Sequence, residues 1–312
     1  MKKIVLYDVD STIPNLALMK LGTYHKALGD EVTLVKTPVL WDKFDYGYAS
    51  VIFTKNKSKV EDFPWEIGGT GADLSTTLPN EVEHSMPDYT LFPENNYSIG
   101  FCTRGCVRKC SFCFVPKKEG TLKFNAHIEE FHDKKNKKIM LLDNNILAYS
   151  NYKEVFAEIR SVNRPTCFKQ GMDFRLLTED KVKELLSIKY DKEYIFAYDS
   201  IQIRDSIEKN MLLYRKYFTD WKLKFFVLVG YDSTIEEDVF RIRYLRGLKI
   251  LPYVMRHERC YNSQYKDFYT DIASWCNQVA IFKKLNFYDF LLRRTKNKER
   301  INRSFRLYKY FR

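Results

Sequence analysis

No stretch of this chain approaches the roughly 18 uninterrupted apolar residues that a membrane-spanning helix needs. The opening "MKKIVLYDVDSTIPN" carries two lysines, but its apolar run stops at Asp8, too short for a signal peptide. The expectation is a cytoplasmic protein that enters no membrane. No internal repeat of solenoid length is visible, which excludes a stack of like units. Cysteine is scarce and odd in number, seven in all with three of them scattered. That excludes a disulfide framework and makes metal binding the better reading of the clustered thiols. Acidic residues are outnumbered, 40 against 52 Lys and Arg, but the deficit is local. Residues 293–312 hold nine Lys or Arg and one acid, and the other 292 residues carry only +4. The body is nearly balanced, and the C-terminal segment is the basic object.

What is present reads as soluble and globular. Apolar residues make up 45% and charged residues 29%, and 312 residues leave room for one large domain or two. Tyr and Phe, 22 and 23 in number, are spread along the chain, as packing residues are. The first segment alternates strand and helix. "KKIVLYDV" is a β-rich apolar run, and "PNLALMKLGTYHKALGD" follows with helical spacing, Pro14 suiting its start and Gly29 its end. "EVTLVK", "YASVIFTK" and "EIGGTGADL" supply further short strands, and "SMPDYTLFPENN" is a connector.

From residue 97 the alternation restarts and runs six times. The strand candidates are "YSIGFCT", "KKIMLLDNN", "TCFKQGMDF", "EYIFAYDS", "KLKFFVLVGYD" and "KILPYVMRH", with capped helix candidates between them. Repeated βα units imply a parallel sheet with right-handed crossovers. The expected fold is α/β: a partial (β/α)6 TIM-like barrel at residues 93–285, with an open doubly wound sheet as the alternative. A small Rossmann-like domain precedes it at 1–92, and the basic tail follows at 286–312. Polar residues gather where the strands end: Cys106 onward, Asp143 with Asn144 and Asn145, Gln170, Asp173 and Arg175, Asp199, Tyr231 with Asp232, and Arg256 with His257. Barrel enzymes place their chemistry at that rim. Helix capping accounts for some of these residues, but not for Gln170, Arg175 or His257.

Four of the cysteines fall within twelve positions, in "YSIGFCTRGCVRKCSFCFVPKKEG". Cys106, Cys110 and Cys113 form C-x3-C-x2-C with Phe112 before the last, and Cys102 lies upstream on the strand. A structural zinc knot wants four ligands, usually in two close pairs, and no second cysteine pair or histidine pair follows. A ferredoxin-type carrier also wants four thiolates, and Cys102 would have to align with a loop that starts after Gly105. Three thiolates leave one iron of a 4Fe-4S cluster open for a substrate or cofactor.

This cysteine spacing, just after the first strand of a six-unit βα chain, resembles the radical S-adenosylmethionine (radical SAM) superfamily over roughly residues 97–285. The resemblance implies that Cys106, Cys110 and Cys113 hold a 4Fe-4S cluster and that SAM binds its open iron, with Phe112 in the motif beside the cofactor. It implies an external one-electron reductant and cleavage of SAM to a 5′-deoxyadenosyl radical, acting on an unidentified substrate. Methyl or methylthio transfer, with RNA as a substrate, is the subclass suggested by domain order alone. Cys102 is expected to be a non-ligand, and Cys167, Cys260 and Cys276 to be buried as small hydrophobes. The family's Gly-Gly-Glu is replaced here by "LLDNN", so Asp143 becomes the candidate acceptor for the SAM amine, with Asn144 or Asn145 as neutral partners. On the fifth strand only Gly230 fits the family's pattern, and Ser233 takes the acid's place. Asp173 or Asp199 is left for the ribose hydroxyls, and the Arg175 fork for the SAM carboxylate.

Two rival readings concern the N-terminal segment, and one concerns the tail. "IVLYDVDST" is similar to the opening motif of haloacid-dehalogenase phosphatases, with Asp8 as nucleophile, Asp10 as acid/base and Thr12 beside it. No convincing downstream lysine and acidic pair accompanies it within residues 1–90. The same segment resembles a cobalamin-binding domain that lacks the D-x-H-x-x-G signature, with His25 inside a helix rather than at a cobalt site. A degenerate scaffold is preferred there to cobalamin binding without a protein ligand. A non-catalytic zinc or iron–sulfur module that binds nucleic acid is the remaining alternative. The tail sets Phe305, Tyr308, Tyr310 and Phe311 among Arg and Lys, which suits RNA, and equally suits rings packed against the fold.

Overall fold

A computed structural model describes residues 1–309. The chain divides into two compact units, residues 1–167 and the residues from 168 onward, and the boundaries expected near 92 and 285 each fall inside a unit. Both are α/β with parallel sheets.

The first unit opens with β1 (Lys3–Asp8), α1 (Leu16–Ala27), β2 (Glu31–Val35), β3 (Tyr46–Ser50), β4 (Glu66–Gly68) and α2 (Asn80–Glu83). These strands form an all-parallel sheet in the order β2-β1-β3-β4. Residues 4–7 of β1 are fully buried, the near-continuous apolar run of a strand covered on both faces. Ile4 and Leu6 pack on Leu18 and Leu21 of α1, while Val5 and Tyr7 face Ala49, Val51 and Phe63. Asn15, not Pro14, caps α1, its side chain accepting from Leu18 N at 3.2 Å. Gly29 ends the turn at φ +81°, as expected of that glycine. The run "YASVIFTK" is strand only through Ser50; the chain leaves the sheet at Val51.

The chain continues with β5 (Tyr97–Gly100), β6 (Thr103–Arg104), α3 (Val115–Lys118), β7 (Lys123–Phe124), β8 (Lys138–Leu141), α4 (Tyr152–Val162) and β9 (Thr166–Phe168). A second sheet runs β5-β8-β9, and β6 pairs with β7 as a short antiparallel ribbon. That ribbon is not among the expected pairings: its β7 lies outside the expected strands, and Thr103 of β6 stands at the end of "YSIGFCT".

The second unit contains α5 (Glu179–Ser187), β10 (Tyr194–Ala197), α6 (Arg204–Tyr214), β11 (Leu223–Val229), α7 (Ile235–Gly247), β12 (Leu251–Arg256), α8 (Lys266–Asn277), α9 (Val279–Lys284), α10 (Phe287–Arg294) and α11 (Lys298–Lys309). Its sheet is β10-β11-β12, parallel and in chain order. Thr178 and Thr234 cap α5 and α7, the second in a reciprocal capping box with Glu237. All six strands expected after residue 97 form. Among the described residues, no helix is long and apolar enough to cross a membrane.

Candidate cysteine-loop site

β5 ends at Gly100, and the chain enters the thiol segment through β6. The ribbon with β7 pinches residues 105–122 into a closed loop, and Cys106 N donates to Gly120 O at 3.3 Å across its neck. Gly105 has no substitute there: its φ is +86°, and a Cβ would stand 2.4 Å from Thr121 O. Arg104 locks the neck from outside, with Nη1 donating to Glu119 at 3.0 Å and Nη2 to Glu83 at 2.8 Å. Glu83 in turn accepts from Lys20 at 2.8 Å, which ties the loop into α1 and α2. Within the loop, Cys113 N donates to Cys110 O at 3.0 Å and Arg108 N to Cys106 Sγ at 3.4 Å. Cys106, Cys110 and Cys113 are half-buried, while Val107, Phe112 and Phe114 are exposed.

The three polar residues that end β8 hold successive points on the root of this loop. Asp143 accepts from Cys102 N at 3.1 Å, Thr103 N at 2.6 Å and Thr103 Oγ1 at 2.7 Å. Asn144 Oδ1 accepts from Gly105 N at 3.1 Å, and Asn145 Nδ2 lies 3.8 Å from Cys106 Sγ. Asp143 is thus buried against the loop's backbone, with both oxygens engaged. Burial raises its pKa to about 6, against the opposing pull of the Thr103 and Cys102 hydrogen bonds. Burial, then the Asp143 charge, pushes the Cys102 thiol well above its ordinary value.

A single tetrahedral ion such as zinc, bound at about 2.3 Å by sulfur, draws its thiolates onto one point. Among the described residues no group of three or more Cys, His, Asp or Glu side chains is gathered as for a bound metal ion, zinc or cluster alike. A cubane cluster makes a different demand, because each thiolate takes a different iron and the sulfurs stay apart. Three soft donors on one pinned, accessible loop fit a cluster by their chemistry.

In the second unit the expected cofactor residues have partners of their own. Arg175 donates Nε and Nη2 to Asp173 at 2.7 and 2.9 Å, a bidentate pair that engages both expected roles with each other. Asp199 accepts from Leu228 N at 3.1 Å, and burial raises its pKa to about 6. Gly230 has φ +69°, and a Cβ there would meet Cys260 Sγ at 2.2 Å; it borders a cavity of about 310 Å³ with Ser233, Thr234, Arg259 and Tyr269. His257 caps the turn after β12 and sits against Tyr231, while Gln170 is exposed. Cys260 and Cys276 are buried as expected, and Cys167 is half-buried.

The sequence reading missed the polar centre of this unit. Asp238 accepts from Ser233 Oγ at 2.6 Å, Gly230 N at 3.0 Å and Tyr269 OH at 2.9 Å, and it pairs with fully buried Arg241. Arg241 also donates to Tyr198 O at 2.7 Å and Leu228 O at 2.9 Å. The signal was available: Asp238 and Arg241 stand among Ile235, Val239 and Ile242 on the apolar stripe of α7, where charges need partners.

The N-terminal rivals are met by equally specific contacts. Asp10 accepts from Ile52 N at 2.7 Å, Phe53 N at 3.0 Å and Asn56 Nδ2 at 2.9 Å, which closes the gap between the ends of β1 and β3 where an open α/β sheet binds ligands. Asp8 is buried, with one oxygen bonded to Ser11 N at 3.1 Å, and burial raises its pKa. Thr12 is exposed. The glycines of "IGGTG" serve close backbone packing: a Cβ on Gly69 would stand 2.3 Å from Val51 O, and one on Gly71 2.5 Å from Phe53 C. Both ring nitrogens of His25 are engaged, with Asp30 at 2.9 Å and Tyr48 at 3.1 Å.

The basic segment is folded. α10 and α11 pack on α8, whose fully buried Asp271 accepts from Arg294 Nε at 2.8 Å, Arg300 Nη2 at 2.7 Å and Nε at 3.0 Å, and Ser304 Oγ at 3.3 Å. Tyr308 packs on Trp275 and Phe287, and Phe305 on Tyr288. Tyr310 and Phe311 lie outside the described residues. No protein-family model matches the chain, and no curated protein matches it.

Proposed function

We propose that this chain is a radical SAM enzyme in which Cys106, Cys110 and Cys113 hold a 4Fe-4S cluster. The observation that supports it is the pinned loop with three half-buried thiols at the C-terminal end of β5, which pairs in parallel with β8. Cys106, Cys110 and Cys113 would hold the cluster, which would supply SAM with one electron drawn from an external reductant and so open radical hydrogen abstraction from a substrate still to be identified. The reading includes the six-strand partial barrel, whose strands are the three of each later sheet.

The chain's own contribution is positional. Asp143, Asn144 and Asn145 fix the loop root, and the Arg104–Glu119 pair keeps its neck closed. Asp143 serves the loop instead of the cofactor amine. Asn144 accepts from Gly105 through its carbonyl, which leaves its amide N–H groups to meet a cofactor carboxylate. Asp199, a carboxylate near the end of β10, has the chemistry to accept a sugar hydroxyl. An external reductant remains part of the proposal, and methyl or methylthio transfer its leading subclass.

Anaerobic purification with iron and sulfide tests this directly. The wild type and Cys102→Ala should show the cluster's charge-transfer absorbance and release 5′-deoxyadenosine from SAM under a strong reductant. Cys106→Ala, Cys110→Ala and Cys113→Ala should lose both. A zinc-loaded protein without sulfide, or loss of absorbance in Cys102→Ala, would overturn the assignment.

A further inference from the structure

Two N–H donors converge on the sulfur of Cys106. Arg108 N, two residues on in the same loop, donates at 3.4 Å, and Asn145 Nδ2, from the chain that leaves β8, at 3.8 Å. Sulfur is a larger and weaker acceptor than oxygen, so its N–H contacts run longer than the usual distance of about 2.9 Å. Asn145 is brought there by the run that grips the loop root, after Asp143 on Thr103 and Asn144 on Gly105. It stands before the short helical turn Ile146–Ala148, where an Asn ordinarily accepts from the turn's backbone, yet its side chain makes no capping bond. At 3% exposure Asn145 is also out of reach of bulk water, and an N–H without an acceptor there would cost desolvation energy. Cys106 is fixed in turn by its own N–H on Gly120 O at 3.3 Å. The register of β5 on β8 thus holds amide and sulfur facing each other.

We propose that Asn145 sets the reduction potential of the 4Fe-4S cluster through Cys106, making the cluster easier to reduce. The inference rests on the radical SAM reading and gives Asn145 a role that Asp143 and Asn144 do not share. One electron enters from the external reductant and no bond breaks. The added negative charge is carried in part by the cysteine sulfurs, so an N–H dipole aimed at one of them stabilises the reduced state more than the oxidised. In a buried place that dipole is little screened. Arg108 N supplies a similar dipole from the backbone; Asn145 supplies the one that a side-chain change removes.

The test is a dye-mediated redox titration of the anaerobically reconstituted full chain, read by the cluster's visible absorbance. Asn145→Ala should make reduction about tenfold less favourable, which for one electron is a midpoint about 59 mV more negative. Asn145→Asp, equal in size but with oxygen in place of the N–H, should move the midpoint further in the same direction. Asn125→Ala removes a side-chain bond to Phe101 O at 3.2 Å beside the same loop root, and should leave the midpoint where it is. A merely structural Asn145 would lower the urea midpoint of its variants and leave their potential at the wild-type value. That result overturns the proposal, as does an equal shift in Asn125→Ala or loss of the cluster from both Asn145 variants. If the wild type forms the cluster while the Asn145 potentials stay put, the radical SAM reading survives and only this inference falls. A wild type that forms no cluster ends both.

Discussion

Asp143 accepts three hydrogen bonds in a place closed to water, and the two facts pull its proton affinity in opposite directions. Burial wins, raising the pKa from the ordinary 3.8 to about 6. The linkage sign follows. Below about pH 4 both folded and unfolded chains hold this proton; between about 4 and 6 the unfolded chain releases it while the folded chain keeps it. The residue's contribution should therefore fall as pH rises through that window, by at most on the order of 3 kcal/mol, and then stay level. Urea unfolding of the metal-free protein at pH 4, 5, 6 and 7 should show the wild type losing stability relative to Asp143→Asn over that range. A difference between the two that stays constant would remove the raised pKa. Gly230 makes a steric counterpart. Gly230→Ala should cost about 2–4 kcal/mol, from the positive φ together with the clash on Cys260. Adding Cys260→Ala should recover the steric share and leave the backbone share, which a double-mutant cycle reads directly.

At the scale of elements, period and capping made the strands and helices legible, because β-rich runs and Thr-capped apolar stripes obey local rules. "TEDK" and "STIEED" mark true helix starts for that reason. Connections set by long-range partners were not legible. β6 and β7 are two residues each, too short for any periodicity, and they exist because Arg104, Glu119 and Asn144 hold the loop between them. The basic tail was ambiguous in sequence for a related reason. Its charge is visible in sequence, but the carboxylate that gathers Arg294 and Arg300 lies back on α8 at Asp271. Deleting residues 295–312 removes Arg300, Ser304, Ile301 and Tyr308 together. It leaves a buried carboxylate short of partners, a loss of about 3–5 kcal/mol or more. A shifted urea midpoint is the expected result; an unchanged one would place the segment outside the fold and restore it as a free nucleic-acid arm.

For the molecule as a whole, burial sorts the seven cysteines into two classes. Cys102, Cys260 and Cys276 are buried, and burial raises the pKa of each, to about 11 for Cys260. Cys106, Cys110, Cys113 and Cys167 are half-buried. Brief alkylation of the reduced, metal-free chain should label the second class first and reach the other three only in denaturant; peptide mass mapping gives the answer site by site. The C-x3-C-x2-C spacing announced three of the four accessible thiols, since adjacent loop residues share an environment. It could not announce that "LLDNN" would hold the loop, because that depends on a register between β5 and β8 that neither segment encodes alone.

Asp271 also has a consequence for synthesis. A ribosome makes α8 well before Arg294 and Arg300 emerge, so for a time the nascent chain holds an acid whose destined partners do not yet exist. Burying it then would strand a bare charge, and α8 is better left solvated until α11 arrives. A message cut short, or a chain clipped before residue 300, yields a product that cannot close this part of its core. Such a product would stay open to proteases, and the cell would clear it without inspecting the cysteine loop at all.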